Sequence, residues 1–142
     1  MPRIDFYILP DTTRLSLQRF ACRLADKAYQ QGHRILIRTE NAEESHLLDD
    51  MLWTFSDDSF LPHAIHADET EDQPIIISHD LTDFQSFKTM INLSSITPVD
   101  TEQFERIAEI LNQEPGRKQT GREHYKAYKA KGYELYHHEM KS

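Results

Sequence analysis

Short apolar runs alternate along this chain with segments of helical periodicity, and this alternation restricts the fold more than any other feature. Apolar runs of strand length lie at residues 5–9, 34–38, 60–65, 74–78 and 89–93. Runs of this length between helical segments are typical of strands buried in a parallel sheet. The alternation therefore predicts an α/β fold, a single Rossmann-like domain with a mainly parallel sheet flanked by helices.

The helical segments are predicted from apolar spacing and from their end signals. The first has Thr12 or Thr13 as its N-cap and ends at Gly32, with apolar residues at i, i+3, i+4, i+7 and i+11. A second helix starts after Asn41. A third is predicted over residues 102–112, ended by a Pro-Gly pair, and a basic helix follows it. Between the last two strand candidates, Phe84 and Phe87 suggest a short helical turn.

Length and residue usage set the broad class of the protein. With 142 residues, the chain is expected to form one domain over residues 1–142. The single cysteine, Cys22, excludes an intramolecular disulfide framework and fits a reducing compartment. No apolar stretch approaches the length of a membrane span and no signal peptide is evident. We therefore expect a soluble cytoplasmic protein that does not bind membranes.

A search for catalytic and cofactor motifs favours a chain without either. The four glycines are too scattered for a dinucleotide-binding turn, and the strand-to-helix turn at 10–13 contains none. Gly116 and Gly121 have the spacing of a phosphate-binding loop, but Arg122 and Glu123 stand where Lys and Ser/Thr are required. His63 and His66 lie in an extended segment, where they would point to opposite faces. We expect no cofactor, no metal and no nucleotide-binding loop, with Cys22 a buried thiol.

Positive charge is concentrated near the C-terminus. Residues 117–133 hold six Lys/Arg against one acid, whereas the whole chain carries −8, so the remainder carries −13. Arg122, Lys126 and Lys129 recur at i, i+4 and i+7 on one helical stripe, with Lys118 one turn earlier. Tyr125 and Tyr128 lie beside the stripe. The pattern fits either a receptor surface for an acidic peptide or phosphate backbone, or a solvated helix face whose tyrosines pack inward.

Trp53 is the single tryptophan and follows an amphipathic segment directly. It is either a core anchor or an exposed aromatic residue of the kind that dominates protein interfaces. The inward face of the second helix is expected to be filled by Leu47, Leu48, Met51 and Leu52, which leaves the indole little room in the core. We therefore expect Trp53 to be exposed, beside Phe60 and Leu61.

Several stretches together resemble a known family. The most specific are the segment from Arg122 to Tyr128, which reads Arg-Glu-His-Tyr-Lys-Ala-Tyr and closes with Gly132-Tyr133, and Trp53 followed by Ser59-Phe60-Leu61-Pro62-His63. Residues 5–9, 74–78 and 90–93 fit the same pattern. The chain resembles the chi subunit of bacterial DNA polymerase III holoenzyme over nearly its whole length.

The resemblance implies a non-catalytic accessory subunit of the clamp loader with two binding surfaces. One binds the psi subunit through Trp53 and Phe60, with Leu61 in the same apolar patch. The other binds the acidic C-terminal tail of single-stranded-DNA-binding protein, which ends in a carboxylate next to an aromatic residue. The tail site would comprise Lys118, Arg122, Tyr125 and Lys126. A helicase-family protein is a further partner that the family implies.

Two other functions fit parts of the sequence. The α/β pattern alone would suit a nucleotide-handling or hydrolase-type enzyme, although a fold is a poor guide to activity. The basic helix with its tyrosines would suit direct binding of single-stranded DNA. The acidic remainder of the chain repels phosphate, so DNA contact is expected through the C-terminal patch alone, and otherwise only indirectly through partners.

Overall fold

The computed structural model describes residues 2–54, 62–65, 73–79, 87–98 and 100–141. Within these ranges the strands are β1 Arg3–Ile8, β2 Ile35–Arg38, β3 His63–Ile65, β4 Ile75–Ser78, β5 Thr89–Asn92, β6 Arg106–Leu111 and β7 Glu134–Glu139. The helices are α1 Arg14–Gln30, α2 Ala42–Thr54 and α3 Pro115–Ala130. Phe60, Leu61, His66 and Phe84, which figure in the sequence predictions, lie outside the described residues.

The strands form one parallel sheet in the order β3-β4-β2-β5-β6-β1-β7. On one face, α1 and α2 pack against strand residues that include Ile35, Ile37 and Ile91. On the other face, Tyr128 of α3 packs with Phe6 and other strand residues. The prediction of a parallel α/β sheet flanked by helices is therefore confirmed.

The ends of the first two helices follow the predicted signals. The Thr13 side chain accepts a hydrogen bond from the Ser16 backbone amide, and the chain leaves α1 through Gly32 at a φ of 86°. The Asn41 side chain caps α2 by accepting from the Glu44 amide at 2.9 Å. The inward face of α2 is narrower than predicted, because Leu48 and Leu52 are buried whereas Leu47 is 42% exposed.

The predicted helix at 102–112 is wrong, because β6 occupies most of this segment. Its residues from Ile107 to Leu111 are all buried, with side chains alternating between the two faces of the sheet. A strand covered on both faces has a continuous apolar run, whose spacing also satisfies a helical pattern when it is short. Pro115 does not end a helix either, since it is the first residue of α3 and Glu114 is the N-cap.

This correction also changes the setting of the two glycines with phosphate-loop spacing. Gly116 and Gly121 follow a strand instead of separating two helices, but both lie inside α3. The Glu114 carboxylate accepts hydrogen bonds from the Gly116 and Arg117 amides at 3.0 and 2.7 Å. The helix N-terminus, where a phosphate would bind, is thus occupied by an acidic side chain of the chain itself.

Strand β7 was not predicted from the sequence. It is an edge strand that pairs with β1 in parallel, with Phe6 beside His137 and Tyr7 beside His138. Its residues are mostly exposed and polar, so they form no apolar run that would mark a buried strand. Their placement depends on pairing with a segment about 130 residues earlier in the chain.

Three further expectations can be compared with the described residues. Cys22 is buried, as predicted, and burial raises the pKa of its thiol to about 12. No group of three or more metal-ligating side chains occurs among the described residues. No described helix is long and apolar enough to cross a bilayer.

Candidate partner-binding surfaces

Helix α3 is held to the sheet by a buried polar network centred on Glu109 of β6. The Glu109 carboxylate accepts hydrogen bonds from His124 Nδ1 at 2.9 Å, from the Tyr128 hydroxyl at 2.6 Å and from Asn92 Nδ2 at 2.9 Å. Burial alone would raise the pKa of Glu109, but the hydrogen bond from His124 and the charges of His124 and Arg117 outweigh it and lower that pKa. The network keeps Glu109 ionised beneath the helix.

Two of the six cations near the C-terminus serve the fold. Arg117 is buried, and its guanidinium donates to the backbone carbonyls of Ile110, Leu93, Ser94 and Asn92 at 2.9–3.2 Å. Lys131 donates to Thr101 Oγ1 at 3.1 Å and lies 3.8 Å from Glu102 Oε1. The basic segment is therefore divided, and four exposed cations are left on its solvent side: Lys118, Arg122, Lys126 and Lys129.

These four cations line one cavity of about 600 Å³ between α3 and the edge of the sheet. We call it the α3 cavity. The sheet side is apolar and is provided by Phe6, Ile8 and Leu111. Gly121 also lines the cavity, and a Cβ at this position would meet Leu111 Cδ1 at 2.5 Å, so the glycine lets the helix lie close to β6.

Three aromatic rings cluster in the α3 cavity. The Phe6 ring lies 5.8 Å from Tyr125 and is stacked on His137 at 5.3 Å, with an interplanar angle of 14°. Tyr125 and His137 are 5.4 Å apart, and Lys129 Nζ lies 5.8 Å from the Tyr125 ring. The cavity thus combines an aromatic wall with ammonium and guanidinium groups, an arrangement that suits an anionic ligand carrying an aromatic group.

The two tyrosines of the basic helix have different roles. Tyr125 is half-buried and lines the α3 cavity, whereas Tyr128 is buried and bonded to Glu109. Burial raises the pKa of Tyr128, as does the neighbouring Glu109 charge. The helix therefore combines the two predicted alternatives. Tyr128 packs inward, as on a solvated helix face, whereas Tyr125 faces the exposed cations, as on a receptor surface.

The structure brings the four predicted tail-site residues together. Lys118, Arg122, Tyr125 and Lys126 all line the α3 cavity. Among the described residues Arg122 makes one hydrogen bond, to Gln119 Oε1 at the outer limit of 3.5 Å, so its guanidinium can bind a ligand. Their role in binding the tail of single-stranded-DNA-binding protein stays a prediction.

The sequence did not indicate the other walls of the cavity. Phe6 and Ile8 belong to β1, Leu111 to β6 and His137 to β7. Alternation of side chains along β1 could have placed Phe6 and Ile8 on one face of the sheet. Which helix covers that face, and the presence of β7 beside it, depend on strand order and could not be inferred from local spacing.

The second predicted surface contains Trp53, which is 55% exposed at the end of α2, as expected. The indole lies 4.9 Å from the ring of His63 in an edge-to-face arrangement. His63 is buried, and its Nε2 lies 3.0 Å from Asp49 Oδ1. We call Trp53 and these supporting residues the Trp53 surface; Phe60 and Leu61, its other predicted members, are outside the described residues.

The carboxyl edge of the sheet, where α/β enzymes bind ligands, also contains a cavity of about 540 Å³. The charged groups there are engaged with one another. Arg14 forms a bidentate pair with Glu44 at 2.7 Å for both contacts, and the Glu40 carboxylate accepts from Ser95. These contacts stabilise the loops at this edge of the sheet.

Comparison with known proteins places the chain in a family. The sequence profile described as DNA polymerase III chi subunit, HolC, matches residues 1–136. The chain belongs to the DNA polymerase III chi subunit family. A protein named DNA polymerase III subunit chi from Pseudomonas aeruginosa is 31% identical over 140 residues, which cover 99% of this chain and 98% of that protein.

Two more distant chi relatives extend over most of the chain. The one from Haemophilus influenzae is 29% identical, covering 92% of both proteins. The one from Escherichia coli is 26% identical, covering 95% of this chain and 96% of the relative. Membership of the chi family therefore rests on nearly the whole length of the chain.

Proposed function

We propose that this protein is a non-catalytic accessory subunit of the DNA polymerase III clamp loader. It would connect the psi subunit to the acidic C-terminal tail of single-stranded-DNA-binding protein, and act in the cytoplasm with the replication machinery. The single observation that carries the proposal is the α3 cavity, in which four cations surround an aromatic wall.

The chemistry of the α3 cavity matches the tail. An acidic peptide that ends in a carboxylate beside an aromatic residue needs a bidentate partner, point charges and an apolar slot. Arg122 can bind the terminal carboxylate with two parallel hydrogen bonds. Lys118 and Lys126 supply charge for the acidic residues before it, and the tail's aromatic ring fits against Tyr125.

The scaffold beneath the cavity supports this assignment. His124 and Tyr128 are bonded to Glu109 on the inner side of α3, while Arg122 and Lys126 face outward. The exposed cations therefore project from a helix whose orientation is set by buried hydrogen bonds. Such preorganisation lowers the entropy that a ligand must overcome on binding.

The Trp53 surface is the proposed attachment point for psi. A large ring that is more than half exposed is costly in water and is the residue type most often found at the energetic centre of interfaces. His63 and Asp49 support it from beneath. A helicase-family protein is a further partner in this proposal.

The two surfaces lie on different helices and opposite faces of the sheet, since α2 packs on one face and α3 on the other. A bridging protein needs such a separation, because both partners must bind at once. Bivalent engagement then raises the effective concentration of one partner near the other.

The test of the tail site is calorimetry with a synthetic acidic tail peptide. Arg122→Ala should weaken binding by about 2–3 kcal/mol, which is the scale of a lost charge-assisted pair. Arg122→Lys should recover only part of the loss, because an ammonium cannot bind a carboxylate bidentately. Arg19→Ala, an exposed arginine on α1, is the control with the same change in net charge. Equal affinity for wild type and Arg122→Ala would refute the site.

The test of bridging uses immobilised psi and labelled tail peptide. The peptide should be retained on psi only when this protein is present. Trp53→Ala should abolish capture by psi while leaving peptide binding in solution unchanged, and Arg122→Ala should do the reverse. If either folded variant lost both partners, the two-surface arrangement would be wrong.

A further inference from the structure

Positive charge occurs at both ends of the chain. Residues 1–38 contain seven Lys/Arg and three Asp/Glu, a net charge of +4. Residues 39–116 contain two and eighteen, a net charge of −16, and residues 117–142 contain seven and three, again +4. The expectation that only the C-terminal patch could attract an anion overlooked the first of these regions.

Much of the N-terminal charge lies on the outer side of α1. Arg19, Arg23 and Lys27 recur at i, i+4 and i+8 and are all exposed, so they form one stripe. Arg23 lies on the side toward the sheet edge, with its Cζ 5.9 Å from the Phe20 ring, and Phe20 in turn is 5.3 Å from Tyr7 of β1. The stripe therefore borders the part of the sheet that α1 leaves uncovered.

Two arginines begin the neighbouring strands on this uncovered part. Arg3 of β1 and Arg106 of β6 are directly paired in register, which places like charges side by side. Asp5 offsets the repulsion: its fully buried carboxylate accepts from Arg3 Nη2 at 3.1 Å and from Arg106 Nε at 2.9 Å. The arginine side chains are still 43% and 50% exposed, so each guanidinium is held in place and accessible to solvent.

Aromatic rings lie beside these guanidinium groups. The Arg3 guanidinium lies 4.1 Å over the ring of Tyr136, which is itself 39% exposed. Next to it Tyr7 and His138 are stacked at 4.8 Å, and His138 Nε2 donates to Asp5 Oδ1 at 2.8 Å. Alternating guanidinium and aromatic groups on an open sheet face resemble the platforms on which unpaired bases stack.

A cleft of about 410 Å³ separates this sheet face from the last turns of α1. Its charged lining consists of Arg3, Arg106 and Lys27 against one acid, Glu105. Two other acids belong to the same elements: Glu134 accepts a hydrogen bond from the Tyr136 hydroxyl at 3.1 Å, and Asp26 of α1 accepts one from Gln30 Nε2 at 3.3 Å. We call Arg3, Arg23, Lys27, Arg106 and Tyr136 the α1 surface.

We propose that the α1 surface binds the backbone phosphates of single-stranded nucleic acid. This goes beyond the proposed bridging function, in which the protein reaches DNA only through its partners. Guanidinium groups held by Asp5 suit phosphate oxygens, and Tyr136 suits an unpaired base. A duplex presents no unpaired base to Tyr136, and the acidic tail peptide is already assigned to the α3 cavity.

The dimensions of the surface predict a short footprint. Arg23 and Lys27 are four residues apart on α1, about 6 Å along the helix axis. The three strands β6, β1 and β7 span about 10 Å. This area accommodates a few nucleotides, so binding should be weak, sensitive to salt and useful mainly for a strand already held nearby by another protein.

The test is anisotropy of a labelled oligothymidylate, titrated with the full chain at several salt concentrations between about 50 and 200 mM. Two double variants carry the same net charge: Arg23→Ala with Lys27→Ala, and Arg122→Ala with Lys126→Ala. Each phosphate contact on a single strand contributes about 0.7 to the slope of log affinity against log salt. The α1 pair should therefore lower the slope by about 1.4.

Each double variant is measured with both the oligonucleotide and the tail peptide. The α3 pair should leave oligonucleotide binding unchanged while abolishing tail-peptide binding, and the α1 pair should leave peptide binding unchanged. Tyr136→Ala should weaken the oligonucleotide several-fold without changing the salt slope, because stacking is not ionic. No binding by wild type at low salt, an equal loss in both double variants, or displacement of the oligonucleotide by tail peptide would each overturn the proposal.

Discussion

The α3 cavity and the Trp53 surface are both exposed, yet they are built in different ways. In the α3 cavity several charged groups are available to bind an anionic ligand, and a buried network centred on Glu109 holds the helix on which they lie. At the Trp53 surface one large ring dominates and rests on His63 and Asp49. A multi-charge site should confer fast, salt-sensitive association, whereas a single aromatic anchor should confer slow dissociation.

The largest expected effect concerns Glu109, the centre of the buried hydrogen-bond network beneath α3. Glu109→Gln keeps the shape of the side chain but removes the charge that offsets the buried Arg117 guanidinium and that accepts a hydrogen bond from His124 Nδ1. We expect a loss of about 3 kcal/mol in the free energy of unfolding, measured by chemical denaturation. Glu123→Gln, on the exposed side of α3, is the control and should be nearly neutral. An equal small effect of both would mean that the network does not hold the helix.

The same variant has a predictable pH dependence. Because the pKa of Glu109 is lowered in the folded protein, its ionised form stabilises the fold at neutral pH. That contribution is complete above the ordinary glutamate value of 4.5 and is lost as the pH falls through the folded value. The difference in unfolding free energy between wild type and Glu109→Gln should therefore be full at pH 7 and shrink in acid below 4.5. A difference that grew on acidification would contradict the sign of the shift.

The next effect separates binding from folding at the Trp53 surface. Trp53→Ala should cost at least about 2 kcal/mol in psi binding, as expected for an interfacial hot spot. Its unfolding free energy should change by far less than the roughly 3–5 kcal/mol of a buried aromatic truncation, because the ring is more than half exposed. Fluorescence of this single tryptophan should shift to the blue when psi is added. A quencher-resistant emission in the free protein would show that Trp53 is packed in the interior.

Salt should distinguish the two surfaces directly. Raising ionic strength screens exposed charges over distances beyond about 8–10 Å, so tail-peptide affinity should fall several-fold. Psi binding through the Trp53 surface should change little over the same range. Parallel titrations of both partners provide the measurement, and equal salt sensitivity would indicate that the two surfaces are not chemically distinct.

The smallest effect tests the floor of the α3 cavity. Gly121→Ala would add a methyl group that meets Leu111 Cδ1 at 2.5 Å, so the Leu111 side chain, which lines the cavity, must shift. The overpacking cost of about 1–3 kcal/mol is partly offset by about 1 kcal/mol of helix propensity, so the free energy of unfolding should fall by no more than about 2 kcal/mol. Tail-peptide affinity should decrease because the apolar slot is narrower. Gln119→Ala, on the exposed side of α3, is the control for stability and should leave the free energy of unfolding nearly unchanged.

Much of the fold follows from local patterns. The strand candidates at 5–9, 34–38, 74–78 and 89–93 correspond to β1, β2, β4 and β5, because each is a short apolar run bounded by turn residues. The parallel sheet followed from helices placed between them. The segment 102–112 was misassigned because an apolar run of this length satisfies both a helical and a doubly covered strand pattern.

For the candidate sites, local spacing was informative on the solvent side only. The recurrence of Arg122 and Lys126 placed them on one helical stripe, and the position of Trp53 after a filled helix face indicated its exposure. Spacing could not distinguish Tyr125 from Tyr128, since each lies beside the stripe. Spacing also could not predict that Arg117 is buried, because the hydrogen-bond partners of Arg117 are backbone carbonyls on β5, β6 and the loop after β5.

By itself, the sequence determined the order of most helices and strands, the cationic stripe on α3 and the exposed indole, because these depend on residues within a few turns of one another. The tertiary structure alone decided that β7 lies beside β1, so that His137 stacks on Phe6 and closes the α3 cavity. It also decided that Asp5 gathers Arg3 and Arg106 on the opposite face. Parallel pairing joins segments about a hundred residues apart, and no local periodicity records which strands become neighbours.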